Sequence, residues 1–175
     1  MLKKRLKKLR KAYTAKQIAK RVERLAAEIR KDAGDAPVFL LGVLKGTTCF
    51  VADLLRATAG PVGYGFIDVV RDAADSFTGE AIEIDFLNFL DIAGKNVYLV
   101  KDVVSTGVIE TYLLTQLRQK QPAALKLVAL IDRPNLRTVD LDADFHAFKV
   151  DKGSFVGYGL ERDGMDGNMP YIARV

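Results

Sequence analysis

Asn96-Val97-Tyr98-Leu99-Val100-Lys101-Asp102-Val103-Val104-Ser105-Thr106-Gly107-Val108-Ile109-Glu110-Thr111 is the stretch that decides the fold. Val97 to Val100 form a short apolar run, the pattern of a strand buried on both faces. A polar bend, Lys101 to Gly107, follows it. A helical pattern with Tyr112, Leu113, Leu114 and Leu117 comes next. A strand-bend-helix step turns backbone N–H groups into the bend, and the helix adds the positive end of its dipole. Ser105, Thr106 and Gly107 there suit a phosphate. An ordinary crossover with an empty loop fits the residues equally well.

The same alternation extends outward in both directions. Thr14-Ala15-Lys16-Gln17 predicts a capping box. Ile18, Val22, Leu25, Ala26 and Ile29 then mark one helical face that ends near Gly34. An apolar strand over Pro37 to Leu44 breaks at Lys45-Gly46, and a helix runs from Thr47 or Thr48 to about Ala59. Pro61 to Val70 reads as a strand and residues 71–81 as an exposed loop. Ile82, Ile84 and Phe86 alternate with acids as in a half-buried strand. Leu125 to Ile131 is another buried strand, and Asp144 to Val150 and Ser154 to Tyr158 are short ones. Strands alternating with helices imply a parallel α/β sheet wrapped on both sides.

Composition sets further bounds. The 175 residues, 49% hydrophobic and 9% aromatic, suffice for one domain with a real core. The net charge of +5 is uneven: residues 1–11 hold seven Lys/Arg and no acid, leaving 20 basic and 22 acidic residues elsewhere, a net of −2. The expected division is a basic tail over 1–13 and a single domain over 14–175. Leu2, Leu6, Leu9 and Tyr13 fall at helical spacing in that tail. Such a run is usually a solvated face, with RNA or acidic lipid contact as the alternative. The single cysteine, Cys49, excludes an internal disulfide and reads as a small core residue. His146 has no second His or Cys for a metal site and reads as structural. No signal peptide or membrane span is visible, so the expected location is the cytoplasm.

In parallel sheets ligands bind beyond the carboxyl ends of the strands. Three loops end there: 45–47, 101–109 and 132–136. Lys45 with Gly46 suits a diphosphate, and loop 132–136 offers Asp132 and Arg133. Neither a Walker A loop nor Gly-x-Gly-x-x-Gly is present, which argues against a triphosphatase and a dinucleotide dehydrogenase.

Val97 to Ile109 resembles the phosphoribosyl-diphosphate (PRPP) motif of type I phosphoribosyltransferases. Asp102, Thr106 and Gly107 fit that motif. Lys101 stands for its Glu, Ser105 for its second Asp and Ile109 for its last Thr. The resemblance runs from about Thr14 to Val175 and is strongest to the hypoxanthine-guanine branch. Gly42-Val43-Leu44-Lys45-Gly46 looks like the diphosphate loop. Residues 68–79, with Ser76, Phe77, Thr78 and Gly79, look like the loop that closes over substrate. Leu130-Ile131-Asp132-Arg133-Pro134 resembles the strand end whose Lys recognises the purine 6-oxo group, and Arg133 keeps a positive donor there. Phe155-Val156-Gly157-Tyr158-Gly159-Leu160-Glu161 resembles the purine-edge strand. Asn168-Met169-Pro170-Tyr171-Ile172 resembles the closing motif.

The resemblance implies a type I phosphoribosyltransferase fold, a parallel core sheet flanked by helices with a small C-terminal hood. It implies purine salvage, with transfer from PRPP to hypoxanthine or guanine and release of IMP or GMP. Lys45 and Gly46 would hold diphosphate; Ser105, Thr106, Gly107, Val108 and Ile109 would cradle the 5′-phosphate. Asp102 would hold a ribose hydroxyl, Arg133 and Phe155 would contact the purine, and Glu161 would hold Mg2+. A homodimer or homotetramer is also implied. Ser105 cannot serve as the general base near neutral pH, so turnover is expected to be weak. Lys101 reverses a charge and cannot accept a hydrogen bond. Ser154 replaces the stacking aromatic and Gly167 a diphosphate-contacting Arg. The alternative is a nucleotide-binding or regulatory protein without turnover.

Overall fold

The computed structural model describes residues 9–72, 81–85 and 89–175. Ser76, Phe77, Thr78 and Gly79 of the expected covering loop lie outside them, as do residues 1–8 of the basic tail. The first element is a strand, β1 (Arg10–Tyr13), followed by helix α1 (Ala15–Ala33). The expected capping box starts that helix. Thr14 Oγ1 accepts from the Gln17 amide at 3.3 Å, and Gln17 Oε1 accepts from the Thr14 amide at 2.9 Å.

A six-stranded sheet follows, built from β2 (Val38–Val43), β3 (Val62–Asp72), β4 (Ala81–Asp85), β5 (Asn96–Val104), β6 (Ala124–Asp132) and β7 (Phe145–Lys149). Its order is β4-β3-β2-β5-β6-β7. Only the β3–β4 pair is antiparallel; the five strands β3-β2-β5-β6-β7 are parallel. Helix α2 (Thr48–Ala57) joins β2 to β3, and α3 (Val108–Arg118) joins β5 to β6.

Strand alternation sends neighbouring side chains to opposite faces. Leu40, Tyr98, Val100 and Val128 meet Ile18, Val22, Leu25 and Ile29 of α1 and Phe50 and Leu54 of α2. Leu41, Leu99 and Leu127 face Leu113, Leu114 and Leu117 of α3 on the other side. Each such buried side chain contributes roughly 1.5–3 kcal/mol. The hydroxyl of Tyr98, in this core, donates to Asp32 at 2.7 Å.

Three differences from the sequence expectation have physical causes. The strand expected to end at Val100 runs to Val104, because Lys101, Val103 and Val104 pair through their backbones with Ala129, Ile131 and Asp132. Loop 71–81 is shorter than expected, since Asp72 pairs with Ala81 across β3 and β4. Arg10–Tyr13, assigned to the tail by charge, pairs antiparallel with β9 (Ile172–Arg174). With β8 (Phe155–Val156) these form a separate three-stranded sheet, β1-β9-β8, the hood. Tyr13 is anchored by stacking on Phe148 at 3.8 Å between ring centroids.

Candidate active site

In chain order the five parallel strands lie 2-1-3-4-5. The chain therefore leaves β2 for one side and β5 for the other, which opens a crevice at the carboxyl ends of these two strands. The loops that meet there are Lys45–Gly46 after β2 and Ser105–Gly107 after β5. The first of them packs tightly on the end of β5: a Cβ built on Gly46 would collide with Asp102 Oδ2. Only glycine fits against that carboxylate. Gly159 closes on the same loop from the hood side, where a Cβ would stand 2.5 Å from the Gly46 carbonyl oxygen. Lys45 follows a cis peptide bond from Leu44.

A cleft of about 640 Å3 opens beside these glycines, lined by Lys45, Thr48, Cys49, Glu161, Asp166 and Asn168 among others. It brings the expected diphosphate residue, Lys45, together with the expected metal residue, Glu161. Gly167 forms part of the wall and lies 3.1 Å, by its absent Cβ, from Glu161 Cγ. Cys49 is exposed here, contrary to its reading as a core residue. Phe50, Val51 and Leu54 take the buried face of α2 and leave Cys49 on the outer one. Burial of its surroundings, then Asp53, pushes the thiol above its usual range, so it is a poor nucleophile.

The phosphate loop is shaped from below. Gly107 caps α3 in the left-handed conformation at φ +84°, and a Cβ there would meet Val139 Cγ2 at 2.9 Å. Arg137 supplies the brace. Its Nη1 donates to the carbonyls of Val104 and Ser105, its Nε to Leu141 O at 2.9 Å, and its Nη2 to the buried carboxylate of Asp132. The Thr138 amide adds a bond to Thr106 O at 3.0 Å. These bonds consume carbonyls on the underside of the loop. Sequence reasoning missed Arg137, because a polar residue after Pro134 carries no periodic signal.

At the β5 end, Lys101 Nζ donates to Asp102 Oδ1 at 3.0 Å, and the Val103 amide donates to the same oxygen at 2.8 Å. Glu110, in the first turn of α3, is buried, with Oε1 3.9 Å from Lys101 Nζ. Burial pushes its carboxyl up; Lys101, its own backbone N–H and Arg137 oppose the rise, while Asp102 adds to it. Nothing in the motif comparison marked Glu110.

Arg133 begins where β6 ends. Its amide donates to Val104 O at 3.0 Å, and its Nε is buried without a hydrogen-bond partner. Phe155 stands elsewhere: its ring packs 5.7 Å from the Arg174 guanidinium and lines a separate cleft with Arg10, Lys11, Tyr13 and Val150. The expected purine contact of Phe155 therefore falls apart from the Lys45–Glu161 cleft. The hood is fastened to α2 by Tyr158, whose hydroxyl donates to Asp53 at 2.6 Å. Burial and that bond hold its phenol far above the ordinary value.

The model of the phosphoribosyl transferase domain matches residues 10–163 of this chain. Hypoxanthine-guanine phosphoribosyltransferase of Aquifex aeolicus is 34% identical over 170 residues, spanning 97% of this chain and 96% of that protein. The Bacillus subtilis enzyme of the same name is 32% identical over 158 residues, 89% and 87% of the two chains. The chain belongs to the hypoxanthine-guanine phosphoribosyltransferase family.

A crystal structure of the family from Bacillus anthracis superposes with a TM-score of 0.84 at 31% identity, covering 95% of this chain and 97% of that one. The match confirms the type I phosphoribosyltransferase fold inferred from the sequence. Among the described residues no three His, Cys, Asp or Glu side chains gather to hold a metal by themselves. Mg2+ does not require such a cluster, since it commonly takes one or two carboxylates and completes its shell with water and substrate phosphates. Glu161, exposed in the cleft that holds Lys45, fits that donor set.

Proposed function

We propose that this protein transfers the phosphoribosyl group of PRPP to hypoxanthine or guanine, giving IMP or GMP and diphosphate. The observation that carries the reading is the contact of Gly46 with Asp102 at the crevice between β2 and β5. It supports the reading because the loop assigned to diphosphate and the carboxylate assigned to ribose stand side by side, as a substrate with both groups requires.

Lys45 and the Gly46 backbone hold the diphosphate. The amides of Ser105, Thr106, Gly107, Val108 and Ile109, at the N-terminus of α3, cradle the 5′-phosphate. Asp102 takes a ribose hydroxyl, and the guanidinium of Arg133 donates to the 6-oxo group of the base. Glu161 would hold Mg2+, which would supply positive charge for the departing diphosphate. In the reaction a purine nitrogen bonds to ribose C1′ as the C1′–O bond breaks, and the electron pair leaves with diphosphate. The base must also lose a proton. Ser105 is not ionised at neutral pH, so water takes that proton and turnover is slow.

Nucleotide binding without turnover is a second reading. It is favoured by Lys101, which already occupies one oxygen of Asp102. Both readings place the protein in the cytoplasm as a homodimer or homotetramer; among the described residues no helix is long and apolar enough to cross a membrane. Oligomeric state is read by light scattering. A turnover assay with PRPP against each purine base, run beside calorimetry with IMP and GMP, separates the two readings. IMP or GMP formation supports the first, and binding without product supports the second. Neither binding nor product would remove both.

A further inference from the structure

Lys101 and Glu110 are nine residues apart, one on a strand end and the other on the first turn of the next helix. Their side chains are 16% and 5% exposed, and the ammonium lies 3.0 Å from Asp102 Oδ1 and 3.9 Å from Glu110 Oε1. A buried carboxylate is costly unless a cation accompanies it, and the same holds for a buried ammonium. Here each supplies the other's need. Glu110 also sits at the positive end of the α3 dipole, which favours its charge. The charges facing the pair are Asp102 and Arg137.

Asp102 is held from two directions as a result. Oδ1 receives the Lys101 ammonium and the Val103 amide, and Oδ2 lies against Gly46. We propose that Glu110 is a positioning residue that anchors Lys101, and that Lys101 in turn fixes the Asp102 carboxylate toward the ligand's ribose. The inference rests on the reading of Asp102 as the ribose-binding group. Two acceptors side by side would take two protons from a ribose diol. The Lys101–Asp102 pair instead offers one donor and one acceptor. A diol can satisfy both, because each hydroxyl donates and accepts.

The pairing also changes what a single substitution can do. Lys101→Glu, which restores an acceptor, gathers three carboxylates at positions 101, 102 and 110. Like charges at that distance in a buried place oppose folding and ligand binding alike. Recovery requires that Glu110 change as well.

The test combines Lys101→Met, Lys101→Glu and Glu110→Met, singly and as the two double variants, in the full chain. Melting temperature reads the pair without any ligand. Lys101→Met and Lys101→Glu should each melt several degrees lower than the wild type, and adding Glu110→Met should recover most of either loss. Additive effects would overturn the pairing. Calorimetry with GMP and with 2′,3′-dideoxy-GMP reads the positioning. Glu110→Met should weaken GMP about tenfold, the scale of a charged hydrogen bond, and leave the dideoxy nucleotide unchanged. Equal weakening of both nucleotides would make Glu110 a structural residue only. If the wild type bound neither nucleotide, the proposed activity would fail and the positioning role with it. The melting cycle would still decide separately whether the pair exists.

Discussion

The guanidinium of Arg137 closes on the carboxylate of Asp132, and both side chains are almost wholly out of water. The same guanidinium holds the carbonyls of Val104 and Ser105, so one buried ion pair ties the end of β6 to the underside of the phosphate loop. Removing one partner of such a pair leaves an uncompensated buried charge. Arg137→Met should cost about 3–5 kcal/mol in urea unfolding and weaken GMP binding. Replacing Asp132 and Arg137 together by apolar residues should recover much of the stability and little of the binding. If Arg137→Met left both measurements unchanged, the loop would not depend on its brace.

On the proposed reading, Ser105 stands at the position from which a base would remove the purine proton. Ser105→Asp should raise turnover of hypoxanthine or guanine by roughly 10²-fold, the scale of general-base catalysis. Gly167 and Ser154 leave other contacts missing, so full recovery to the rate of relatives is not expected. Steady-state kinetics with PRPP check this. A wild type with ordinary turnover would show that water or another group already does the work.

The carboxyl of Glu110 is raised above its ordinary value of 4.5, first of all by burial. The folded chain therefore binds this proton more tightly than the unfolded chain does. The group's contribution to stability is fully present below about 4.5 and is lost as pH climbs through the folded value. Glu110→Gln removes that dependence. Urea unfolding across a pH series should show the variant gaining on the wild type as pH rises from 4.5 toward neutrality. Parallel stability curves would mean that Glu110 titrates alike in both states.

Charge alone made residues 1–11 look dispensable. The structure gives Arg10 and Lys11 partners in Arg174 and Ala173, and sets the Lys11 ammonium 4.5 Å over the Tyr171 ring. Deleting residues 1–11 should lower the melting temperature by roughly 2–4 °C, the effect of about 1 kcal/mol lost from cross-strand pairs. An unchanged melting temperature would show that the hood does not need this strand.

What the sequence revealed was local. The Thr14–Gln17 capping box, the apolar face of α1 and the buried runs of β2, β5 and β6 carry their periods within a few residues, and the structure contains all of them. The Lys45, Asp102 and Glu161 loops were legible because short motifs mark them. What stayed hidden depends on partners far along the chain. Lys101 and Asp102 look like loop residues until Lys101, Val103 and Val104 are seen to pair with β6. Cys49 looks buried until the outer face of α2 is seen to border a cleft. Phe155 is an expected purine contact, yet its ring packs by Arg174 and lines another cleft. Arg137 and Glu110 matter only through Asp132, Ser105 and Lys101, and no spacing rule joins those residues.

The pairing of Arg10 with Arg174 has a consequence for how the chain folds. The parallel sheet is complete once β7 has formed at Lys149, and each of its crossovers is short. Strand β1 must wait for β9, the most distant strand pairing among the described residues. Contacts of such sequence separation form slowly because a long loop has to close first. A growing polypeptide can therefore shape the crevice between β2 and β5 while the hood is still missing. The wall that Gly159 and Glu161 give the Lys45 cleft belongs to the part of the chain that is made last.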